Sequence, residues 1–162
     1  MLCFLYNNYM KIRNAKSEEI EDVKNLIIEY TKFLNRNLDF QGLKDELEDL
    51  RTKYSAVEGE LLVAVSDDNE IIGIVAYHRH DNTRCEMKRL FVKPEYRKLK
   101  LGEKLIFEII NHAKQSGYKE MVLDTIEPLK AAIYLYKKFG FVECEPYYNN
   151  PMDDVIYMKL DL

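Results

Sequence analysis

Chemistry is concentrated where the chain runs Leu90-Phe91-Val92-Lys93-Pro94-Glu95-Tyr96-Arg97-Lys98-Leu99-Lys100-Leu101-Gly102-Glu103-Lys104-Leu105, an apolar strand-like stretch that passes through a basic turn into a helical pattern. That combination suits an anion. The first backbone N–H groups of a helix have no intrahelical partner, the macrodipole adds roughly half a positive charge there, and Arg97, Lys98, Lys100 and Lys104 supply side-chain cations. A pyrophosphate fits such a cradle. A solvated, lysine-rich helix entrance has the same composition, so charge alone leaves both readings open. No Gly-x-x-x-x-Gly-Lys-Ser/Thr or Gly-x-Gly-x-x-Gly run occurs, which sets aside a P-loop and a dinucleotide fold. His78, His80 and His112 share no metal spacing with Cys3, Cys85 and Cys144, and scattered cysteines in odd number indicate neither a disulfide framework nor a zinc knuckle. No metal is expected, and the thiols read as reduced.

A strand must deliver the basic turn and a helix must receive it. Cys85 to Val92 is the strand, closed by Pro94, and Leu101, Leu105, Ile109, Ile110 and Ala113 form the helical stripe, ending at Gly117. Upstream, Lys11 to Ala15 reads as a first strand. Ser17 reads as the N-cap of a helix carrying Ile20, Val23, Ile27, Tyr30 and Leu34, and Leu43, Leu47, Leu50 and Tyr54 form a second helix before Gly59. Leu61 to Val65 and Ile71 to Tyr77, separated by Asp67-Asp68-Asn69, form a hairpin, and a further turn at Asp81-Asn82-Thr83 leads into Cys85. Downstream come a short strand at Met121 to Asp124, a helix opened by Pro128 and stopped at Gly140, and strands at Phe141 to Cys144 and Val155 to Leu160. This order indicates an α+β or α/β domain around one twisted sheet. The helix between the Cys85 and Met121 strands allows those two to run parallel, and parallel neighbours that splay open a cleft.

Composition bounds the rest. The chain has 162 residues, 47% hydrophobic and 12% aromatic, which gives one domain over 1–162 with a sizeable core and argues against disorder. No apolar run reaches the roughly 20 residues of a membrane helix, and Met1 to Met10 lacks the basic start of a secretory leader, so a cytoplasmic protein is expected. A net charge of -4 makes nucleic acid an unfavourable partner, leaving only the local Arg97 to Lys104 cluster to attract phosphate.

Arg97 and Gly102 match the pattern Arg/Gln-x-x-Gly-x-Gly/Ala, and Ala132-Ile133-Tyr134-Leu135-Tyr136 with Gly140-Phe141 is similar to Ala-x-x-Leu-Tyr-x-x-x-Gly-Phe. On these two motifs, in order over Cys85 to Cys144, the chain resembles the GNAT superfamily of acyl-CoA-dependent N-acetyltransferases. The resemblance implies a mostly antiparallel twisted sheet with splayed parallel central strands, flanked by about four helices. It implies acetyl-CoA as cofactor, held by Leu90, Phe91 and Val92 along the strand, by Arg97, Lys98, Leu99, Lys100, Leu101, Gly102 and Glu103 around the turn, and by Tyr136. Two positions depart from the pattern: Lys100 replaces an inner glycine, at a cost of about 1 kcal/mol if a left-handed backbone is needed, and Leu129 stands where an asparagine is frequent.

The same resemblance assigns chemistry. The Val92 N–H would face the thioester carbonyl, although an ordinary ladder hydrogen bond is the alternative. Tyr136, with a phenol pKa of about 10, would protonate a thiolate of about 8.5; Tyr134 points elsewhere on the helix. Glu86 would take the amine's proton if burial raised its pKa well above about 4.3, and otherwise is an exposed strand-end acid. A covalent route through Cys85 or Cys144 lacks a neighbouring histidine. For the acceptor, an amine of a small molecule or peptide, Tyr30 and Phe33, with Phe40 nearby, form one wall, and Tyr147 and Asn150 in the segment Tyr147 to Asp154 form another. Direct attack in a ternary complex is the leading mechanism. A CoA-binding sensor or docking module without catalysis is the alternative, and a homodimer is compatible with the family.

Overall fold

The computed structural model describes residues 10–162; Cys3 and the leader reading of the first residues lie outside them. One seven-stranded sheet runs in the order β1-β2-β3-β4-β5-β7-β6, with β1 at Lys11–Asn14, β2 at Gly59–Val65, β3 at Ile71–Arg79, β4 at Arg84–Val92, β5 at Glu120–Ile126, β6 at Val142–Glu143 and β7 at Val155–Asp161. Every pairing is antiparallel except β4 with β5, as expected from the helix between them. The α-helices are α1 (Ile20–Leu34), α2 (Leu43–Glu48), α3 (Leu50–Lys53), α4 (Leu101–Gln115) and α5 (Lys130–Lys138). Among the described residues, no helix is long and apolar enough to cross a membrane.

Alternation along each strand divides the core. Leu62, Ile72, Val75, Cys85, Met87, Met121 and Leu123 pack with Leu105, Ile106 and Ile109 of α4 on one face. On the opposite face Leu61, Val63, Ile74, Ala76 and Phe91 pack with Val23, Leu26 and Ile27 of α1 and Leu50 of α3. Both helical stripes therefore bury the positions that their spacing selects.

Two local expectations are corrected. Ser17 does not cap α1: the Lys16 N–H donates to the Glu19 carboxylate at 2.8 Å, and Glu19 also pairs with Arg13 at 2.6 Å. A carboxylate fixed by a guanidinium is a stronger acceptor than a hydroxyl. The expected second helix is interrupted at Asp49 (φ -136°), whose side chain accepts from the Thr52 N–H at 3.3 Å and starts α3 anew.

The cleft has a topological cause. The β4–β5 ladder consists of Arg84↔Glu120, Cys85↔Met121 and Glu86↔Val122, after which the strands part. At the parting β4 carries a bulge: Ile74 to Ala76 of β3 faces Phe91 to Lys88 of β4, and Arg89 within it has φ 61°. An extra residue bends its strand and re-aims the side chains that follow. Both central strands thus end in an unpaired edge.

Candidate active site

A cavity of about 600 Å³ fills the space between the parted strands, bounded by α1, the start of α4 and α5. Its α4 side is the expected cradle. Pro94–Leu99 forms a 3-10 turn, Lys100 adopts φ 57° and ψ 25°, and α4 begins at Leu101 with no side-chain cap. The Lys104 N–H is the first to reach back, to the Lys100 carbonyl at 3.2 Å, which leaves the N–H groups of Leu101, Gly102 and Glu103 without intrahelical partners. A Cβ at Gly102 would meet only the Leu135 side chain, at an ordinary contact distance of 3.5 Å.

The left-handed backbone that the motif glycine serves is thus present with lysine in its place. We expect Lys100→Gly to stabilise the fold by about 1 kcal/mol, read as a higher urea midpoint at unchanged slope. A lower midpoint would show that the lysine side chain contributes more than its backbone strain costs.

The β4 side is set by strand alternation. The Lys93 N–H donates to the Ile72 carbonyl of β3 at 2.9 Å, so the main-chain groups of Val92, and of Leu90 before it, turn away from β3 toward the cleft. The Val92 carbonyl on that side accepts from Arg97 Nε at 3.1 Å. A ladder bond for the Val92 N–H is therefore excluded. Phe91 lines the cavity, with its main chain in register with Ile74 and its ring facing Tyr30 and Phe33 of α1 at 5.6 and 5.9 Å. Arg97 is less mobile than expected, because its guanidinium lies 4.3 Å from the Phe33 ring centre as a cation–π pair. Leu90, Arg97, Lys100, Gly102 and Glu103 line the cavity, whereas Lys98, Leu99 and Leu101 do not. Leu101 is core, Lys98 is exposed, and Glu103 is paired with Lys138 at 2.7 Å.

Tyr136 and Tyr134 both border the cavity from α5, Tyr136 with 7% exposure and Tyr134 with 68%, the difference that about half a turn of helix imposes. The Tyr136 ring stands against Phe141 at 5.8 Å. Burial pushes its phenol far above the usual range, and Tyr30 and Asp124 push it the same way, so it is protonated at neutral pH. The thiols are poor nucleophiles: burial raises Cys85 to about 12, and Cys144 is also raised by burial.

Glu86 departs from the expectation. It is buried at the last β4–β5 pair, but it does not line the cavity. Burial would raise its carboxyl; His78 Nε2 at 2.9 Å, Lys88 Nζ at 3.5 Å and the Tyr147 hydroxyl at 2.8 Å outweigh that and hold it at about 2. The raised pKa that a base needs is absent. The register of the hairpin turning at Asp81-Asn82-Thr83 places His78 opposite Glu86, and that signal was available in the sequence. Of the expected acceptor walls, Tyr30 and Phe33 line the cavity; Tyr147 and Asn150 do not. Tyr147 is a strut between Glu86 and Tyr157, and Asn150 donates to Asp124 at 3.0 Å.

Some cavity residues went unread. Arg89, 5% exposed, sits on the bulge and forks onto Glu46 at 3.0 and 2.7 Å, with Gln41 Oε1 at 3.1 Å, tying α2 to the cleft floor. Asp124 lines the cavity from β5, and beside it the buried Thr125 hydroxyl has no hydrogen-bond partner among the described residues.

Comparison with known proteins agrees with this geometry. An uncharacterised N-acetyltransferase of Schizosaccharomyces pombe is 44% identical over 146 residues, covering 90% of this chain and 90% of that protein. The crystal structure of a GNAT-family acetyltransferase from Staphylococcus aureus superposes with TM-score 0.80 at 24% identity, covering 94% of this chain and 98% of that one. PaiA N-acetyltransferase from Thermoplasma acidophilum, solved in complex with coenzyme A, superposes with TM-score 0.72 at 20% identity over 94% and 99% of the two chains. A model of the acetyltransferase (GNAT) family matches residues 22–141. With its parted central strands, open helix start and motif tyrosine, this chain belongs to the GNAT family of acetyltransferases.

Proposed function

We propose that the protein transfers an acetyl group from acetyl-CoA to a primary amine by direct attack in a ternary complex. The observation that carries this reading is the continuity of one cavity from the unpartnered N–H groups at the start of α4, past the cleft-facing Val92 amide, to the Tyr136 phenol. The coenzyme A bound to the similar T. acidophilum protein supports the choice of cofactor. The residues present fit that group: main-chain donors at the start of α4 and the Lys100 side chain suit a diphosphate.

Acetyl-CoA supplies an acyl carbon activated as a thioester, with a thiolate as leaving group. The chain supplies the rest. The amides of Leu101, Gly102 and Glu103 bind negative charge at the helix start, and Lys100 adds a screened cation. The Val92 N–H, fixed by the bulge and by Arg97 on its own carbonyl, orients the acyl oxygen and stabilises charge that develops there. The amine attacks as its free base and its proton leaves to solvent, while Tyr136, kept neutral by burial, holds a proton at its Oη for the departing sulfur and regains one from solvent. Glu86 acts as a positioning group: its charge holds Tyr147, and Tyr147 packs on the Tyr148 and Tyr157 rings that border Asp124.

A CoA-binding module without catalysis drew its weight from the missing glycine. Lys100 adopts the glycine's conformation, so the cradle keeps its shape and that argument lapses. Calorimetric titration with acetyl-CoA, followed by thiol release against an amine panel, tests the proposal. Binding followed by amine-dependent thiol release is expected. Binding with no release across the panel would establish the module instead.

A further inference from the structure

Among the described residues, two acids line the cavity, Glu103 and Asp124, and Asp124 is the one without a cation. Glu46 holds Arg89 and Lys53, Glu86 faces Lys88 and His78, and Glu103 at the other end holds Lys138. Asp124 lies on β5 beyond the last β4–β5 pair and forms no ion pair among the described residues. Its donors are the neutral groups Tyr148 Oη, Asn150 Nδ2 at 3.0 Å and Gln41 Nε2 at 3.3 Å, and all three converge on Oδ2. Oδ1 has no hydrogen-bond partner among the described residues, and it is not among the buried, unpartnered atoms. The carboxylate is thus held rigidly by one oxygen and presents the other, an arrangement suited to a charge-assisted hydrogen bond from a ligand.

The surroundings specify the rest of that ligand. Tyr30, Phe33, Leu34, Leu38 and Met152 line the same end of the cavity and offer apolar and aromatic surface. Of the cations lining it, Arg89 and Lys88 already face Glu46 and Glu86, and Arg97 lies over the Phe33 ring. We infer that Asp124 Oδ1 is the seat of the acceptor's amine, bound as ammonium, and that the acceptor carries an apolar or aromatic body beside that amine. This rests on the acetyl-transfer reading and narrows its substrate class.

The test uses the full chain, with 2-phenylethylamine and 2-phenylethanol as probes. In wild-type protein carrying CoA, 2-phenylethylamine should bind at least about tenfold more tightly than 2-phenylethanol, which has the same body without charge. Asp124→Asn should raise KM for 2-phenylethylamine about thirtyfold or more, with calorimetric affinity for acetyl-CoA held within about twofold. Equal binding of amine and alcohol would overturn the inference even if the variant fails to fold. Thiol release with other amines but not with 2-phenylethylamine would refute the seat and leave acetyl transfer standing. No release with any amine would remove the acetyl-transfer reading, while the amine-against-alcohol comparison would still decide the seat.

Discussion

Changing Tyr136 to Phe should lower kcat by about a hundredfold or more, while the affinity for acetyl-CoA stays within about twofold. The substitution removes one oxygen and keeps the ring, so the contact with Phe141 and the packing of α5 are retained. The hydroxyl that is lost has no hydrogen-bond partner among the described residues, so no protein group is left unsatisfied by its removal. What disappears is a proton held at the cleft in a phenol that burial keeps neutral. Steady-state thiol release and calorimetry on the two proteins separate these quantities. An unchanged kcat would remove Tyr136 from the mechanism, and a parallel loss of cofactor affinity would make it a binding residue instead.

The second large effect concerns stability. Glu46→Leu should destabilise the fold by about 3 to 5 kcal/mol, because it strands the Arg89 guanidinium in the interior with Gln41 as its remaining partner. The reverse change is milder, since Glu46 without Arg89 would retain Lys53 at 3.2 Å and Tyr54 Oη at 2.7 Å. The double variant Glu46→Leu with Arg89→Met should recover most of the loss, because replacing a buried pair by apolar side chains is far cheaper than breaking it. Urea unfolding of the set measures the difference. A small effect in Glu46→Leu would mean that water reaches Arg89.

The same pair sets a pH dependence. Burial would raise the Glu46 carboxyl, but the hydrogen bonds and charge of Arg89, with Lys53 and Tyr54, hold it at about 2 against an unfolded value of 4.5. A carboxyl lowered on folding stabilises fully above its unfolded pKa and loses that contribution as pH falls toward the folded one. Glu86 and Glu19, also held at about 2, act in the same direction. Unfolding free energy should therefore be level with respect to these groups above about pH 5 and fall between about pH 4.5 and 2.

What could be read from residues alone follows from the range of the interactions involved. The strands, α1, α4 and α5 were legible because burying one face imposes a period on neighbouring residues, and the splayed parallel pair followed from the helix between β4 and β5. The left-handed turn at Lys100 was legible as a conditional cost because the motif position stood next to it. The fork between Arg89 and Glu46 was not, since it joins positions 43 apart through a bulge that no local pattern marks. Arg97 looked like a free cation because its cation–π partner Phe33 lies on α1, far away in the chain. Glu86 was read for burial alone, yet the partner strand supplies the His78 that reverses the direction of its shift. Asp124 stood at the end of a short strand, and its one-sided hydrogen bonding arises only when the segment at Tyr148 and Asn150 folds back onto it.

Amide mapping by NMR tests the central claim most directly. On titration of the protein with acetyl-CoA, the amide resonances of Leu101, Gly102 and Glu103 at the start of α4, and of Val92 on the open edge of β4, should move together and saturate at one stoichiometric equivalent. Shifts confined to other surfaces, with those four amides unmoved at saturation, would contradict the cradle and the chemistry built on it.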